Sequence, residues 1–110
     1  MKISKEELLR INAGFGGILR DDSLDFAIEK QEDRKLGEFK KLAYLMRAIL
    51  VDHPFSDGNK RTAMYFALKF TEGSNLQVDR ELLLHQIISI AKNNINEIKN
   101  IEWRLKNAIR

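Results

Sequence analysis

Apolar residues recur every three or four positions along most of this chain, which is the spacing of amphipathic helices. The clearest segment should run from about Gly37 to Asp52, with apolar side chains at Phe39, Leu42, Ala43, Met46, Ile49 and Leu50. A second long segment should start near Asn59 and end before Gly73, a candidate C-cap. Because this second segment is apolar on nearly every side, it is typical of a central, buried helix.

Two shorter helices are predicted near the amino terminus. Ser4 and Glu7 fit a capping box, which predicts that a first helix begins there. The glycines between Gly14 and Gly17 should end that helix. Asp22 or Ser23 should then cap a short second helix.

The remaining segments complete a helical bundle. The polar run from Glu29 to Lys35 has few apolar anchors and should be an exposed connection. Two amphipathic helices should close the chain, one over Leu83 to Ala91 and the other over Ile95 to Ala108. Alternating strand patterns are short and weak, so the sequence predicts an all-α fold, a compact bundle of about six helices.

Length and composition narrow the class of protein. The chain has 110 residues, so we expect a single domain over residues 1–110. It contains no cysteine, which excludes disulfides and thiolate-ligated metals. The amino terminus shows no signal-peptide pattern and no stretch approaches the roughly 18 apolar residues of a membrane span, so we expect a cytoplasmic protein without a membrane partner. The net charge of +3 is spread along the chain and favours phosphate-bearing partners only weakly.

The densest cluster of polar chemistry lies between the two long apolar segments, at residues 51–61. Pro54 disfavours helix at His53, so the preceding helix should end there. Because His53 follows Leu50 by three positions, it should continue the inward face of that helix at the edge of the core. A neutral imidazole there can accept a proton near pH 7. Phe55 should bury its ring and pin the loop.

Phosphate-binding groups follow in the same run. Gly58 allows backbone conformations closed to most residues, and Asn59 tolerates similar ones. The helix that starts there presents unpaired N–H groups and the positive end of its dipole, which together bind phosphate. Lys60 and Arg61 add two cations, and Asp57 offers the type of oxygen ligand that magnesium prefers. These residue types predict a phosphate clamp with a metal-binding carboxylate and a nearby base.

The order of these residues narrows the interpretation further. The run His53-Pro54-Phe55-Ser56-Asp57-Gly58-Asn59-Lys60-Arg61-Thr62-Ala63 resembles the signature of the Fic/Doc superfamily, His-x-Phe-x-(Asp/Glu)-Gly-Asn-x-Arg. Upstream, the segment from Gly16 to Leu24, with Ala27, resembles the Gly-Gly and Leu-x-x-Ala region of death-on-curing (Doc) proteins. The tail from Ile95 to Leu105 is similar to their closing helix, so the resemblance spans most of the chain.

The resemblance points to the Doc branch of this superfamily. Nucleotidyl-transferring Fic enzymes typically carry Gly-Asn-Gly-Arg-x-x-Arg, whereas this chain has Lys60 at the second glycine and Met64 at the second arginine. In the Doc branch the lysine is thought to reverse the bound ATP, so that the γ-phosphate is transferred. The resemblance therefore implies a toxin that phosphorylates a Ser or Thr hydroxyl of a protein, which in Doc systems belongs to a translation elongation factor. It also implies inhibition by a separate antitoxin.

The resemblance implies a role for each residue of the loop. His53 would be the catalytic base, Asp57 would hold Mg²⁺, and Pro54 and Phe55 would be structural. The phosphates of the co-substrate ATP would be bound by Gly58, Asn59, Lys60 and Arg61. Residues 29–37 occupy the place where this superfamily often docks the backbone of its target protein.

Other interpretations stay open at this point. His53 also fits a structural helix-ending residue, and Lys60 and Arg61 also fit solvated cations at a helix start. The alternative functions are protein adenylylation (AMPylation) and a non-catalytic module that binds nucleic acid or a regulator, although nucleic acid is not the expected direct ligand. His85 is expected to be solvated and without a role, and Trp103 to pack in the core or at an interface.

Overall fold

Six helices follow one another in the computed structural model, which describes residues 2–110. They are α1 (Lys5–Gly14), α2 (Ser23–Lys30), α3 (Glu38–Leu50), α4 (Asn59–Gly73), α5 (Arg80–Lys92) and α6 (Ile98–Ala108). Among the described residues, β-type pairing is confined to two isolated antiparallel bridges, Leu19 with Phe55 and Val78 with Ile109, and no sheet forms. The predicted compact all-α bundle of about six helices is confirmed.

Helices α3 and α4 form the centre of the bundle. α3 packs against α2, α4 and α6, and its buried residues include Met46 and Ile49. α4 buries Phe66 and Phe70, each at most 2 % exposed. Complete burial of a large apolar side chain contributes about 1.5–3 kcal/mol to folding. The loop at residues 51–58 joins these two helices, so a buried central helix holds it at each end.

The helix α1 ends on a glycine turn, as predicted. Gly16 adopts a left-handed conformation (φ 87°), and the Gly17 N–H donates to the Asn12 carbonyl oxygen at 3.2 Å. The end of α4 differs from the prediction, because Gly73 is the last residue of the helix and Asn75 takes the left-handed position after it (φ 54°). Asparagine tolerates this conformation better than most residues, so Gly73 is not required as the cap.

The end of α5 also corrects a predicted boundary. Asn94 is left-handed (φ 48°), and the Ile95 N–H donates to the Ile90 carbonyl oxygen at 3.1 Å. Ile95 therefore closes the turn after α5, and the last helix begins at Ile98 rather than at Ile95.

Residues 29–35 were expected to form an exposed connection. Only part of this segment does so. Its first two residues complete α2, which ends at Lys30. Gln31 is 4 % exposed, and its Nε2 donates to the carbonyl oxygens of Ala27 (3.3 Å) and Lys41 (3.2 Å). These two hydrogen bonds satisfy the amide nitrogen of a side chain that the pattern placed in solvent, whereas its Oε1 is buried without a partner in the described structure.

The caps of the first two helices differ in how well they were predicted. Ser4 Oγ accepts from the Glu7 N–H at 3.1 Å, as the capping pattern requires. For α2, Asp22 occupies the N-cap position without a side-chain hydrogen bond in the described structure. The Asp21 carboxylate instead accepts from the Ser23 N–H at 2.9 Å, and this bond lowers the pKa of Asp21.

Two side chains singled out in the sequence, Trp103 and His85, lie at the surface. Trp103 was expected to pack in the core or at an interface. It is 62 % exposed on α6, which excludes packing in the core. His85 is exposed, as its pattern predicted. Within residues 2–110, no helix combines the length and apolar character needed to cross a membrane.

Candidate functional site

The loop between α3 and α4 is pinned against the segment that follows α1. Leu19 and Phe55 form an antiparallel bridge. Beside it, the Ile18 N–H donates to Ser56 Oγ (3.0 Å) and the Ser56 N–H donates to the Ile18 carbonyl oxygen (2.9 Å). Pro54 and Phe55, which belong to the loop, are both buried. Their burial gives the loop an apolar anchor that faces away from solvent.

His53 lies at the edge of the core, but not as a continuation of the preceding helix. α3 ends at Leu50, and His53 adopts a left-handed backbone conformation (φ 50°). The helix thus ends three residues before the predicted end at His53, and the prediction that His53 continues its inward face was wrong, because the chain bends here to meet residues 18–20. The Arg20 guanidinium donates to the His53 carbonyl oxygen at 3.2 Å. The histidine is partly buried, and an uncommon backbone conformation of this kind often occurs at functional sites.

The side chain of Asn59 holds the shape of the loop. Its Oδ1 accepts from the Phe55 N–H at 3.2 Å, and its Nδ2 donates to the Phe55 carbonyl oxygen at 3.0 Å. Both ends of the side-chain amide thus bond the loop backbone. The backbone N–H of Asn59 and the second N–H of its side-chain amide remain for a phosphate.

Gly58 turns the chain into α4. Its φ of 73° is left-handed, and a Cβ atom there would lie 2.9 Å from the Phe15 Cβ. The Thr62 N–H donates to the Gly58 carbonyl oxygen at 2.9 Å, which leaves the N–H groups of residues 59–61 without intrahelical partners. The Asp57 carboxylate accepts from the Gly58 N–H, and within the described residues no side chain bonds the N–H groups of residues 59–61. These N–H groups and the positive end of the helix dipole are therefore available to an anion.

A polar cavity of about 300 Å³ opens at the start of α4. Its lining is formed by His53, Ser56, Asp57, Gly58, Asn59, Lys60 and Arg61. Asp57 is exposed, and its Oδ1 accepts from the Gly58 N–H at 2.7 Å. The structure thus brings the predicted base, carboxylate and phosphate-binding residues to one cavity, while Pro54 and Phe55 are buried and lie outside its lining.

A comparison with protein-family models identifies the family to which the residues of this site belong. The model of the Fic/DOC family matches residues 3–71, which is well over half of the chain and includes the whole cavity lining. The chain belongs to the Fic/DOC family. Searches of curated proteins and of solved structures found no match. Members of the Fic/DOC family are typically transferases.

Among the described residues, Asp57 is the one carboxylate in the lining of the polar cavity, and this limits the kind of metal site that the cavity can form. Within the described structure, no three acidic, histidine or cysteine side chains converge into a metal site. Magnesium is commonly held by one or two carboxylates together with nucleotide phosphates. Asp57 therefore fits an ion that arrives with a nucleotide, and does not fit a closed metal site built by the protein alone.

An apolar groove of about 410 Å³ adjoins the polar cavity, between α4 and α5. Lys60 and Arg61 line both spaces, and the other groove residues are Phe15, Met64, Tyr65, Leu68, Leu84 and Ile88. Three of these, Tyr65, Leu84 and Ile88, are between 38 % and 45 % exposed. A continuous exposed apolar surface beside a polar site is typical of a binding region.

Three residues that shape the site had been assigned no role from the sequence. Asn12 is fully buried and donates to the Asp57 carbonyl oxygen, Arg20 bonds the His53 backbone, and Ser56 lines the cavity. Asn12 did leave a signal, because it follows Leu8 by four positions and is a polar residue on the buried face of α1. Ser56 left one as well, because it lies within the contiguous motif, whereas Arg20 left none, since its contact with His53 depends on the pairing of distant segments.

Proposed function

We propose that this Fic/DOC protein is a Doc-like protein kinase that transfers the γ-phosphate of ATP to a Ser or Thr hydroxyl of a target protein. The observation that carries the proposal is the polar cavity, where His53, Asp57, Lys60 and Arg61 surround the uncapped start of α4. An imidazole, a carboxylate and a cationic anion-binding helix end are the groups that phosphoryl transfer uses. A translation elongation factor is the target that the family resemblance suggests.

The proposed step balances with the groups that line the cavity. The oxygen of the target hydroxyl forms a bond to the γ-phosphorus, and the bond from that phosphorus to the oxygen bridging it to the β-phosphorus breaks. ADP leaves, and the hydroxyl proton passes to the His53 imidazole. The backbone N–H groups of residues 59–61, with Lys60 and Arg61, would stabilise the phosphate charge. Asp57 would hold the magnesium ion that accompanies ATP and neutralises part of that charge.

Lys60 supports γ-phosphate transfer over AMP transfer. It stands where nucleotidyl-transferring Fic enzymes have glycine, and it lines both the polar cavity and the apolar groove. A long side chain in that position restricts which end of ATP enters the cavity. Met64, on the same helix, replaces the second arginine of the nucleotidyl-transferring motif.

Two radiolabels on ATP separate these reactions. The protein is incubated with magnesium, a bacterial or archaeal lysate, and ATP labelled at either the γ- or the α-phosphate. We expect transfer of the γ-label to a protein, abolished in His53→Ala and Asp57→Ala and retained in the control His85→Ala. Transfer of the α-label alone would establish adenylyl transfer instead, and no transfer from either position would contradict the kinase proposal.

The apolar groove supports the further proposal that a separate antitoxin inhibits this protein. Tyr65, Leu84 and Ile88 give a protein partner an exposed apolar contact immediately beside the cations of the cavity. A small protein encoded next to this gene is the candidate, and co-expression followed by size-exclusion chromatography tests it. We expect a complex that Leu84→Asp weakens and that the exposed control Trp103→Ser leaves intact. Elution of the two chains as separate species would contradict the proposal.

A second candidate, non-catalytic binding of nucleic acid, is favoured by one surface outside the cavity. Phe26 is 50 % exposed and packs edge-on against Tyr44 at 5.8 Å between ring centroids. Lys30 Nζ lies 5.0 Å from the Phe26 centroid, and the Arg47 guanidinium lies 5.2 Å from that of Tyr44. Aromatic rings beside cations can hold single-stranded nucleic acid. Salt-dependent binding of an oligonucleotide that survives Arg61→Ala and falls in Lys30→Ala would favour this candidate.

A further inference from the structure

Asn12 joins three parts of the chain that meet beneath the polar cavity. It lies on α1, it is completely buried, and its Nδ2 donates to the Asp57 carbonyl oxygen at 2.8 Å and to Thr62 Oγ1 at 3.1 Å. The first acceptor belongs to the loop and the second to the first turn of α4. One buried amide group therefore ties both sides of the bend at Gly58.

The buried amide of Asn12 brings a free-energy cost as well as two hydrogen bonds. Asn12 shares the buried face of α1 with Leu8, and an apolar side chain at this position would leave the Asp57 carbonyl and the buried Thr62 hydroxyl without this donor. Its Oδ1 is buried without a hydrogen-bond partner in the described structure. An unsatisfied buried polar atom costs about 1–3 kcal/mol. The two donated bonds offset this cost, and they distinguish the amide from an apolar side chain because they tie the loop to α4.

Two glycines leave room for this amide. A Cβ atom on Gly17 would lie 2.2 Å from Asn12 Oδ1 and 2.4 Å from the Asp57 carbonyl oxygen. A Cβ atom on Gly58 would lie 3.3 Å from Asn12 Nδ2. The backbone therefore closes around the amide from both sides, which leaves it little freedom to rotate or shift.

We propose that Asn12 is a positioning residue for the phosphate site. By fixing the carbonyl of Asp57 against Thr62, it sets the peptide unit between Asp57 and Gly58, and through it the Asp57 carboxylate relative to the N–H groups of residues 59–61. Its effect on catalysis rests on the proposed function, whereas its effect on the order of the loop does not.

Two variants test this role. Asn12→Leu removes the donor and keeps the site filled, and Asn12→Ala serves if the leucine does not fit. Hydrogen exchange followed by NMR reports on the loop through the bonded amides of Phe55 and Thr62, and on the core through the amide of Ile49 in α3. We expect exchange at Phe55 and Thr62 to become at least about tenfold faster, with Ile49 unchanged.

Kinetics supply the second readout. If γ-phosphate transfer is observed for the unmodified protein, we expect kcat to fall by about 10- to 100-fold in the Asn12 variants, while KM for the protein target stays the same. Unchanged exchange at Phe55 and Thr62 in the folded variants would overturn the proposal, as would unchanged kcat in an active enzyme. An unmodified protein without transferase activity would contradict the proposed function, and the exchange experiment would then still decide the role of Asn12.

Discussion

The side-chain amide of Asn59 bonds both backbone groups of Phe55, accepting from its N–H at 3.2 Å and donating to its carbonyl oxygen at 3.0 Å. The pair closes the loop on itself at the point where Phe55 is fully buried. Replacing Asn59 with alanine leaves both backbone groups without their partner. We expect Asn59→Ala to lower the free energy of unfolding by about 1–3 kcal/mol, measured by urea denaturation. The control Asn93→Ala, which removes an exposed side-chain bond to Ser89, should change it by less than about 0.5 kcal/mol.

Gly58 and Gly14 provide a matched pair of glycine-to-alanine substitutions. At Gly58 the left-handed φ of 73° opposes a side chain. An added Cβ atom would also lie only 2.9 Å from the Phe15 Cβ. We expect Gly58→Ala to destabilise the protein by about 1–2 kcal/mol or more. At Gly14, inside α1, a Cβ atom meets nothing within 4 Å, so Gly14→Ala should be neutral or stabilising by up to about 1 kcal/mol. Equal thermal stability of the two variants would contradict the account of the bend at Gly58.

His53 and His85 provide a matched test of the proposed base. His53 lines the polar cavity, whereas His85 is exposed on α5 and lies outside that lining. We expect His53→Ala to reduce the rate of γ-phosphate transfer by about 100- to 10,000-fold, because the hydroxyl proton loses its acceptor. His85→Ala should retain the full rate. Both variants should unfold at the same temperature as the unmodified protein, and an equal loss of activity in the two would exclude His53 as a specific base.

The cap of α2 predicts a pH dependence of stability. The Ser23 N–H lowers the pKa of Asp21 below its ordinary value of 3.8, so the carboxylate stabilises the folded state above that value. The stabilisation is lost as pH falls through the lowered pKa of the folded state. We expect Asp21→Ala to be less stable than the unmodified protein near neutral pH, with the gap closing between about pH 5 and pH 2.

The neighbouring aspartate serves as the control for that experiment. Asp22 holds the N-cap position but makes no side-chain cap bond in the described structure. Urea unfolding of Asp22→Ala should therefore show a smaller loss of stability than Asp21→Ala at neutral pH. A larger loss for Asp22→Ala would mean that the cap is assigned to the wrong residue.

The helices and the composition of the loop were predictable from the sequence because both are local. Helical spacing at positions such as Met46 and Ile49 reports directly on which face is buried, and the motif from His53 to Arg61 is contiguous. The cavity lining therefore required no knowledge of the fold, only a correct expectation that the loop joins two buried helices.

The contacts that hold the loop were beyond the sequence because they join distant segments. Asn12 and Asp57 are 45 positions apart, and Arg20 and His53 are 33 apart. The left-handed backbone of His53 was also missed, because helical extrapolation from Leu50 ignores how the chain bends to meet residues 18–20. Local pattern indicated which residues lie in the loop, and tertiary pairing determines their geometry.

The most direct test of the central claim is whether the start of α4 binds the phosphates of ATP. Isotope-labelled protein is titrated with magnesium and ATP while amide NMR signals are followed. We predict that the largest shifts occur at Gly58, Asn59, Lys60 and Arg61, and that affinity falls in Arg61→Ala but not in Arg80→Ala, the exposed arginine at the start of α5. Shifts confined to other helices, or equal affinity in the two variants, would contradict the claim.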